Sequence, residues 1–412
     1  MLHFLKANAR WVAGGFLLVF FSSFGQTFFI SIWGAEIRAD YGLSHGGFGA
    51  IYMIGTLASA MTLPFLGRIV DRFSVANCAV FVMLMLSAAT LLMAFGDGIV
   101  VLALTIYMLR LFGQGMMIHV AMTAMGRWYA ANRGKAVSMS STGINVAEAI
   151  MPSLFVLLAT QMNWRSTWMV ACVTLMVVAL PVIYLLMKRE RMPASRGDAD
   201  AVVAATRHWT RKEVLRDPLF WASGLGVFAP AFIGTSIFFH QDYLIEFNNW
   251  PPELYYRSFA LMALTTVSVS LLTGLAVDRW SAVQILPFFM IPLGFGCLLL
   301  GSGGQTYTIV VFMVLLGCSY GITTTLFGAL WPELYGTQNL GSIRSITIAI
   351  MVFLTAAGPG VTGLFIDLGV TFNRQLIVMG LYCLSTIAIL TMTSRRFRLR
   401  MEADVAKIAP PE

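Results

Sequence analysis

One arginine stands inside an otherwise apolar run, IYMLRLFGQG, residues 106–115. Arg110 lies about twelve residues from either end of the longer apolar span that contains this run, where a guanidinium costs roughly 2.5–3.5 kcal/mol in a membrane helix. Such a charge persists only where it meets a partner, a water-filled cavity or a ligand. Its planar fork suits a carboxylate or phosphate head group. Glu148 is the second ionisable residue at depth, in TGINVAEAIMPS, residues 142–153. Counted from the helix ends, Glu148 is about 20 Å and Arg110 about 24 Å from the same face. Glu148 shares one helical face with Ser141, Asn145 and Pro152. An intramembrane carboxylate can carry a proton, and it can equally lock two helices by pairing with Arg110. Both readings stay open, as does a direct role of Arg110 in substrate binding or coupling.

Weaker candidates follow the same logic. Gln26 is near mid-depth with Ser22 and Trp33, and Tyr320, Thr324 and Phe327 form a face at i, i+4 and i+7. These residues either contact a ligand or pack. His240, with Ser236 and Tyr243, reads as a gate near a helix end, and His119 as helix packing. Asp242, Glu246 and Glu253 read as solvated.

The elements that position these residues follow from composition. Hydrophobic residues make up 58% of the 412-residue chain and charged ones 11%, with mean hydropathy +0.78. A soluble domain carries about 25% charged residues, so most of this surface must face lipid. Apolar runs of about 20 residues fit helices across a core of about 30 Å, and barrel strands would be shorter and alternating. The fold class is therefore all-α, with twelve membrane-spanning helices, numbered 1 to 12 and centred near residues 23, 57, 85, 112, 148, 176, 232, 264, 291, 319, 353 and 382. The first is a retained helix and not a cleaved leader.

The formal charge of +8 reports topology. With both termini inside, all of the 27 Lys and Arg fall on one side except Arg38, Arg165, Arg257, Arg374 and the intramembrane Arg110. This is the positive-inside bias. It places the chain in the cell (inner) membrane as a multi-pass protein with cytoplasmic termini, and it argues against nucleic-acid binding. The partners expected are membrane lipid and a small-molecule substrate, and the chain reads as a monomer. Five scattered cysteines without a C-x-x-C pair suggest neither disulfides nor a metal site. No cofactor is expected.

GRIVDRFS at 67–74 recurs as GLAVDRWS at 274–281, an offset of 207 residues. The same offset relates Gly134 to Gly341 and Pro152 to Pro359. The chain is thus read as two pseudo-symmetric six-helix halves, 1–190 and 215–412, joined by a charge-rich cytoplasmic linker, 191–214. Such a parallel repeat places a cavity between its halves near the bilayer midplane. Gly67, Asp71, Arg72 and their equivalents Gly274, Asp278 and Arg279 sit after helices 2 and 8. Charge contacts there either gate a rocking motion or merely anchor a turn.

The octapeptides resemble the signature loop of the major facilitator superfamily, G-x-x-x-D-R after helix 2 with a weaker copy after helix 8. Ser74 replaces the family's later Gly, and Val75-Ala76 its trailing basic pair. Arg110 with Gly113 and Gly115 resembles the family's helix-4 motif, which implies a cavity-facing or proton-linked role. RWYAANRGKAVSMSSTG (127–143) and LRDPLFW (215–221) are similar to the monocarboxylate and oxalate/formate branch. In this fold helices 1, 4, 7 and 10 line the cavity.

No P-loop, HExxH helix or G-x-S-x-G elbow is present, so neither an enzyme nor a nucleotide-driven pump is expected. The reading is a secondary transporter of a small organic anion, a carboxylate, by proton coupling or anion exchange. The alternative is a proton-coupled drug or cation exporter that uses Glu148.

Overall fold

The computed structural model describes residues 2–129, 133–189, 209–303, 305–336 and 339–408. Most of the expected linker, 191–214, therefore lies outside the described residues. Every element among those residues is helical. Eleven helices are long and apolar enough to cross a membrane, from helix 2 (His45–Leu66) through helix 3 (Val75–Phe95), helix 4 (Ile99–Trp128), helix 5 (Ala136–Ala159) and helix 6 (Trp164–Met187). Helix 7 (Pro218–Phe239), helix 8 (Pro252–Val277), helix 9 (Ala282–Gly301), helix 10 (Tyr307–Tyr335), helix 11 (Ser342–Asp367) and helix 12 (Phe372–Ala403) complete them. Helix 1 is a broken span, Asn8–Gly25 and Thr27–Tyr41, bent by 45°. Counting it gives the twelve expected from the sequence.

Local chemistry starts these helices where the chain needs them. Ser44, Ser74 and Asn163 each accept the backbone N–H three residues on, capping helices 2, 3 and 6. Thr210 and Glu213 form a reciprocal capping box just before helix 7, and Asp217 caps helix 7 itself ahead of Pro218.

The chain divides into two compact units. The first holds Met1–Ala199 together with Ile237–Tyr243 and Pro359–Leu368; the second holds Asp200–Ser236, Leu244–Gly358 and Gly369–Glu412. The far ends of helices 7 and 11, Ile237–Tyr243 and Pro359–Leu368, thus group with the residues of helices 1 to 6.

Within each unit the 207-residue repeat has kept positions and changed chemistry. Arg10 donates to the carbonyls of Leu186 and Leu185 at 2.8 and 2.5 Å, capping the free end of helix 6. Its repeat equivalent is Asp217, which ties helix 7 to helix 12 through Arg400 (2.8 Å) and accepts from the Tyr335 hydroxyl (3.0 Å). Likewise Arg127, ending helix 4, donates to the Val70 carbonyl at 3.2 Å. Glu333, at the corresponding end of helix 10, accepts from the Ala282 N–H at 2.8 Å.

The two octapeptides also differ in shape. Helix 2 stops at Leu66, and a turn at Gly67 leads to the short helix Ile69–Arg72. Helix 8 instead continues through Gly274 to Trp280 and ends at Ser281, whose φ is +73°. Gly67 presses on His119, and a Cβ there would stand 3.0 Å from its Nε2; around Gly274 there is open space. Arg72 and Arg279 are exposed, and Arg279 stacks over Trp280 at 5.2 Å. The side chains of Asp71 and Asp278 lie outside the described ones. His119 was expected only to pack. Its Nε2 in fact lies 3.3 Å from the Gly67 carbonyl, joining helix 4 to the first octapeptide.

Candidate functional site

Arg110 opens a π-helical stretch of helix 4, Leu109–Met117. Such wide turns break the regular i→i−4 ladder and recur at functional sites. Two glycines bring helix 4 against helix 1 at this level. A Cβ on Gly113 would stand 2.6 Å from the Gly25 Cα, so only the bare backbones fit. One residue further, helix 1 breaks: Gln26 is extended, with φ −86° and ψ 152°.

That break creates a hydrogen-bond acceptor. In a continuous helix the Gly25 carbonyl would accept from the Phe29 N–H; here Phe29 bonds Gln26 instead, at 3.2 Å. The Arg110 Nη1 donates to the Gly25 carbonyl at 3.1 Å and to the Thr27 hydroxyl at 3.3 Å. Tyr52, from helix 2, completes the cage. Its hydroxyl is 2.6 Å from Thr27 Oγ1, and its ring centroid lies 5.2 Å from the guanidinium carbon. Arg110 is 2% exposed, and its Nε carries no hydrogen bond.

Every partner in this cage is neutral. Arg38, Arg165, Arg257 and Arg400 are each paired with a carboxylate within 3.6 Å. Among the described residues no ion pair joins Arg110 to Glu148 or to any other acid. The guanidinium charge is thus offset only by dipoles and a ring face.

Glu148 is half-buried on helix 5, and no hydrogen bond or ion pair engages it among the described residues. Helix 5 packs on helix 1 through Ser140, Gly143 and Ala147; a Cβ on Gly143 would stand 3.0 Å from the Phe20 N. Val146, Ile150 and Leu157 form an exposed apolar stripe. At about 100° per residue, Ser141, Asn145, Glu148 and Pro152 share a third face, distinct from both. Asn145 is half-buried there.

Gln26 is 9% exposed and donates to Ser22 at a long 3.4 Å. It matters mainly as the residue at which helix 1 turns. Tyr320 and Thr324 belong to the second unit. Tyr320 stands against Gly234 of helix 7, with its Cζ 3.3 Å from where a Cβ would be. Thr324 is exposed, and its hydroxyl donates to the Gly321 carbonyl at 3.2 Å. A pocket of about 470 Å³ in the second unit is lined by apolar residues of helices 7, 11 and 12, among them Trp221, Phe228, Leu354 and Tyr382. It holds none of the candidate residues, and Trp221 and Val378 at its rim are 48% and 66% exposed. It is a surface groove.

Sequence reasoning missed Thr27, Tyr52 and the break at Gln26. The run Ser22-Ser23-Phe24-Gly25-Gln26-Thr27 is unusually polar for a span and carries the signal. Asp242 was expected to be solvated. It is instead paired with Arg38 at 2.7 Å, with a side chain 9% exposed.

Eleven candidate spans and one broken pair, with Arg110 and Glu148 inside two of them, are the arrangement that the comparisons with known proteins address. The sequence profile of the Major Facilitator Superfamily matches residues 15–359, and the chain belongs to that family. It is 22% identical over 379 residues to monocarboxylate transporter 4 of Gallus gallus, covering 88% of this chain and 78% of that protein. Its fold is similar to a bacterial homologue of the human lysosomal transporter Spinster, with TM-score 0.68, 14% identity and 98% of each chain covered. It is similar also to the nucleoside transporter NupG, with TM-score 0.70, 11% identity, and 93% and 99% of the two chains covered.

Proposed function

We propose that this chain is a secondary active transporter that moves a small organic anion, a carboxylate, by alternating access with proton coupling or anion exchange. The observation that carries the reading is the neutral cage around Arg110. A full positive charge at membrane depth with no counter-ion favours an anion as its partner, and a bidentate carboxylate can displace the Gly25 carbonyl and the Thr27 hydroxyl. At 2% exposure Arg110 meets substrate only when the helix-1 segment after Gln26 moves. Helix 1 therefore acts as both lid and competitor. The weak relation to a monocarboxylate transporter points to the same substrate class. Gln26 and Asn145 are assigned to the substrate path of the first half, and Tyr320 and Thr324 to that of the second. The halves 1–190 and 215–412 rock about the linker, and Gly67, Asp71, Arg72, Gly274, Asp278 and Arg279 gate the motion. The charge bias supports a cell-membrane protein with both termini cytoplasmic, and the transporter is assigned as a monomer.

Glu148 favours a second reading, a proton-coupled exporter of drugs or cations, because an unpaired carboxylate on a polar stripe can exchange a proton for a cation. Counterflow in proteoliposomes separates the two. The anion reading expects uptake of a small monocarboxylate that falls at least tenfold in Arg110→Gln and keeps its substrate preference in Glu148→Gln. Exchange of a lipophilic cation that survives Arg110→Gln and stops in Glu148→Gln would replace the anion reading with the exporter.

A further inference from the structure

The apolar groove of the second unit has the shape of a chain-binding site. On helix 7, Trp221, Leu225, Phe228 and Phe232 line it along one helical face, at i, i+4, i+7 and i+11. Leu354 of helix 11, with Val378 and Tyr382 of helix 12, forms its other walls. The Phe228 ring folds back over Gly224, where a Cβ would stand 2.8 Å from it. Helix 7 is broken at the same level. One segment ends at Val227 and the next starts at Ala229, because Pro230 brings no N–H to the ladder. The two polar side chains of the lining are already engaged: the Trp221 Nε1 donates to the Leu215 carbonyl at 2.9 Å, and the Tyr382 hydroxyl to the Leu225 carbonyl at 2.8 Å. The groove therefore offers an occupant apolar contact and no side-chain hydrogen bond, which suits a hydrocarbon chain and not a small carboxylate. From Trp221 to Phe232 a helix rises about 17 Å, close to half of a hydrocarbon core of about 30 Å. That is the reach of one acyl chain in one leaflet.

We propose that this groove seats one acyl chain of an anionic phospholipid from the cytoplasmic leaflet, whose phosphate is held at the rim by Arg216 and Arg396. The charge at the Trp221 end carries the choice of head group. The bond from Trp221 to Leu215 fixes the short helix Arg211–Arg216 at the mouth of the groove. Gly226 packs on Leu390, and Asp217 bonds Arg400 at 2.8 Å. Between these two contacts, the level of Trp221 on helix 12 falls at Arg395 and Arg396. Arg396 comes eighteen residues after Val378, five full turns, so both lie on one face of helix 12. Residues 209–217 and 393–403 hold seven basic side chains against three acids. Two of those acids are engaged, Glu213 by Thr210 and Asp217 by Arg400. Arg216 and Arg396 are exposed, and no carboxylate pairs with either among the described residues. A basic rim above an apolar slot recognises an anionic lipid head group, and the positive-inside bias assigns this rim to the cytoplasmic side. The bound chain packs against the break in helix 7 and ties helices 7, 11 and 12 together. Because it binds the folded protein alone, it stabilises that state.

Native mass spectrometry of the purified protein released from detergent tests this, with dioleoylphosphatidylglycerol and dioleoylphosphatidylcholine supplied at equal concentration. The phosphatidylglycerol adduct should exceed the phosphatidylcholine adduct by at least about fivefold, the effect of one basic residue beside an anionic head group. Arg216→Gln/Arg396→Gln should remove that preference. Val378→Trp, at the exposed rim, should occupy part of the groove and cut the phosphatidylglycerol adduct several-fold. Leu381→Trp, also exposed but outside the lining, should leave it unchanged, which separates a blocked groove from a misfolded protein. Equal retention of the two lipids by wild type overturns the head-group assignment, as does a preference that survives in the arginine variant. An adduct that persists in Val378→Trp, or that falls as far in Leu381→Trp, overturns the groove as its site.

Discussion

At the scale of single residues, the arrangement around Arg110 separates stability from function. A buried cation held only by dipoles contributes little to folding, because desolvation offsets its contacts, and an apolar residue of similar volume is often tolerated. Arg110→Met should therefore change thermal stability by no more than about 1 kcal/mol, the order of one unsatisfied Gly25 carbonyl, while abolishing anion transport. Scanning calorimetry together with uptake checks this. A loss of 3–5 kcal/mol, the usual result of breaking a buried ion pair, would show a hidden carboxylate partner. Arg110→Lys should not rescue transport, because an ammonium lacks the planar face that binds a carboxylate through two nitrogens while stacking on Tyr52. Tyr52→Phe keeps the ring over the guanidinium and loses the link to Thr27. It should cost about 1 kcal/mol of stability and, by freeing Thr27, alter apparent substrate affinity more than maximal rate. Arg110 was legible in the sequence because a charge in an apolar run has to be explained. Thr27 and Tyr52 were not, because a hydroxyl in a span is usually satisfied by its own helix, as Ser31 and Thr62 also do here.

Among the elements, the broken helix 1 and the π-helical turn of helix 4 meet at Gly25 and Gly113, and neither irregularity was visible as a periodicity. Apolar runs give spans and their centres well, since length and hydropathy decide them. They say nothing about a one-residue break, which depends on what the freed carbonyl finds. Gly113→Ala would force a methyl to within 2.6 Å of the Gly25 backbone, and such overpacking costs typically about 1–3 kcal/mol. Calorimetry should show that loss, and the cage should loosen with it. The octapeptides give a paired test. Gly274 lies within continuous helix with open space around it, so Gly274→Ala should be neutral or stabilising by up to about 1 kcal/mol. Gly67→Ala pushes on His119 and should destabilise. Equal effects at the two sites would contradict the asymmetry described above, which the duplicated sequence concealed: the two similar octapeptides end differently, with His119 and Arg127 holding one turn and Glu333 the other.

For the whole molecule, the apolar runs predicted twelve helices, and their centres fall where hydropathy put them. What the offset did not reveal is how the repeat diverged: Arg10 and Asp217 do equivalent joining with opposite charges, while the equivalent of Arg127 is Leu334 and the joining falls to its neighbour Glu333. Nor did it reveal that the ends of helices 7 and 11 pack with the first unit, because hydropathy is blind to which helix a glycine or a capping carboxylate meets. A change at Asp367 should act at this scale. Asp367→Asn removes the anion from the helix-2 N-terminus and should lower stability by up to about 1 kcal/mol, read by scanning calorimetry. Topology is open to an equally simple check. Gln161→Cys should react with an impermeant maleimide on intact cells and Arg396→Cys only after permeabilisation; the reverse would invert the orientation assigned from charge.

The central claim, that Arg110 is the anion's anchor, is tested most directly by ligand-induced thermal stabilisation of the purified protein in detergent. Small monocarboxylates are compared with lipophilic cations for wild type and Arg110→Met. A ligand that binds only the folded state stabilises by about 2.7 kcal/mol at a hundredfold excess over Kd. The account predicts such a shift for a carboxylate with wild type and none with Arg110→Met. Stabilisation by a cation, or by a carboxylate equally in both proteins, would contradict it.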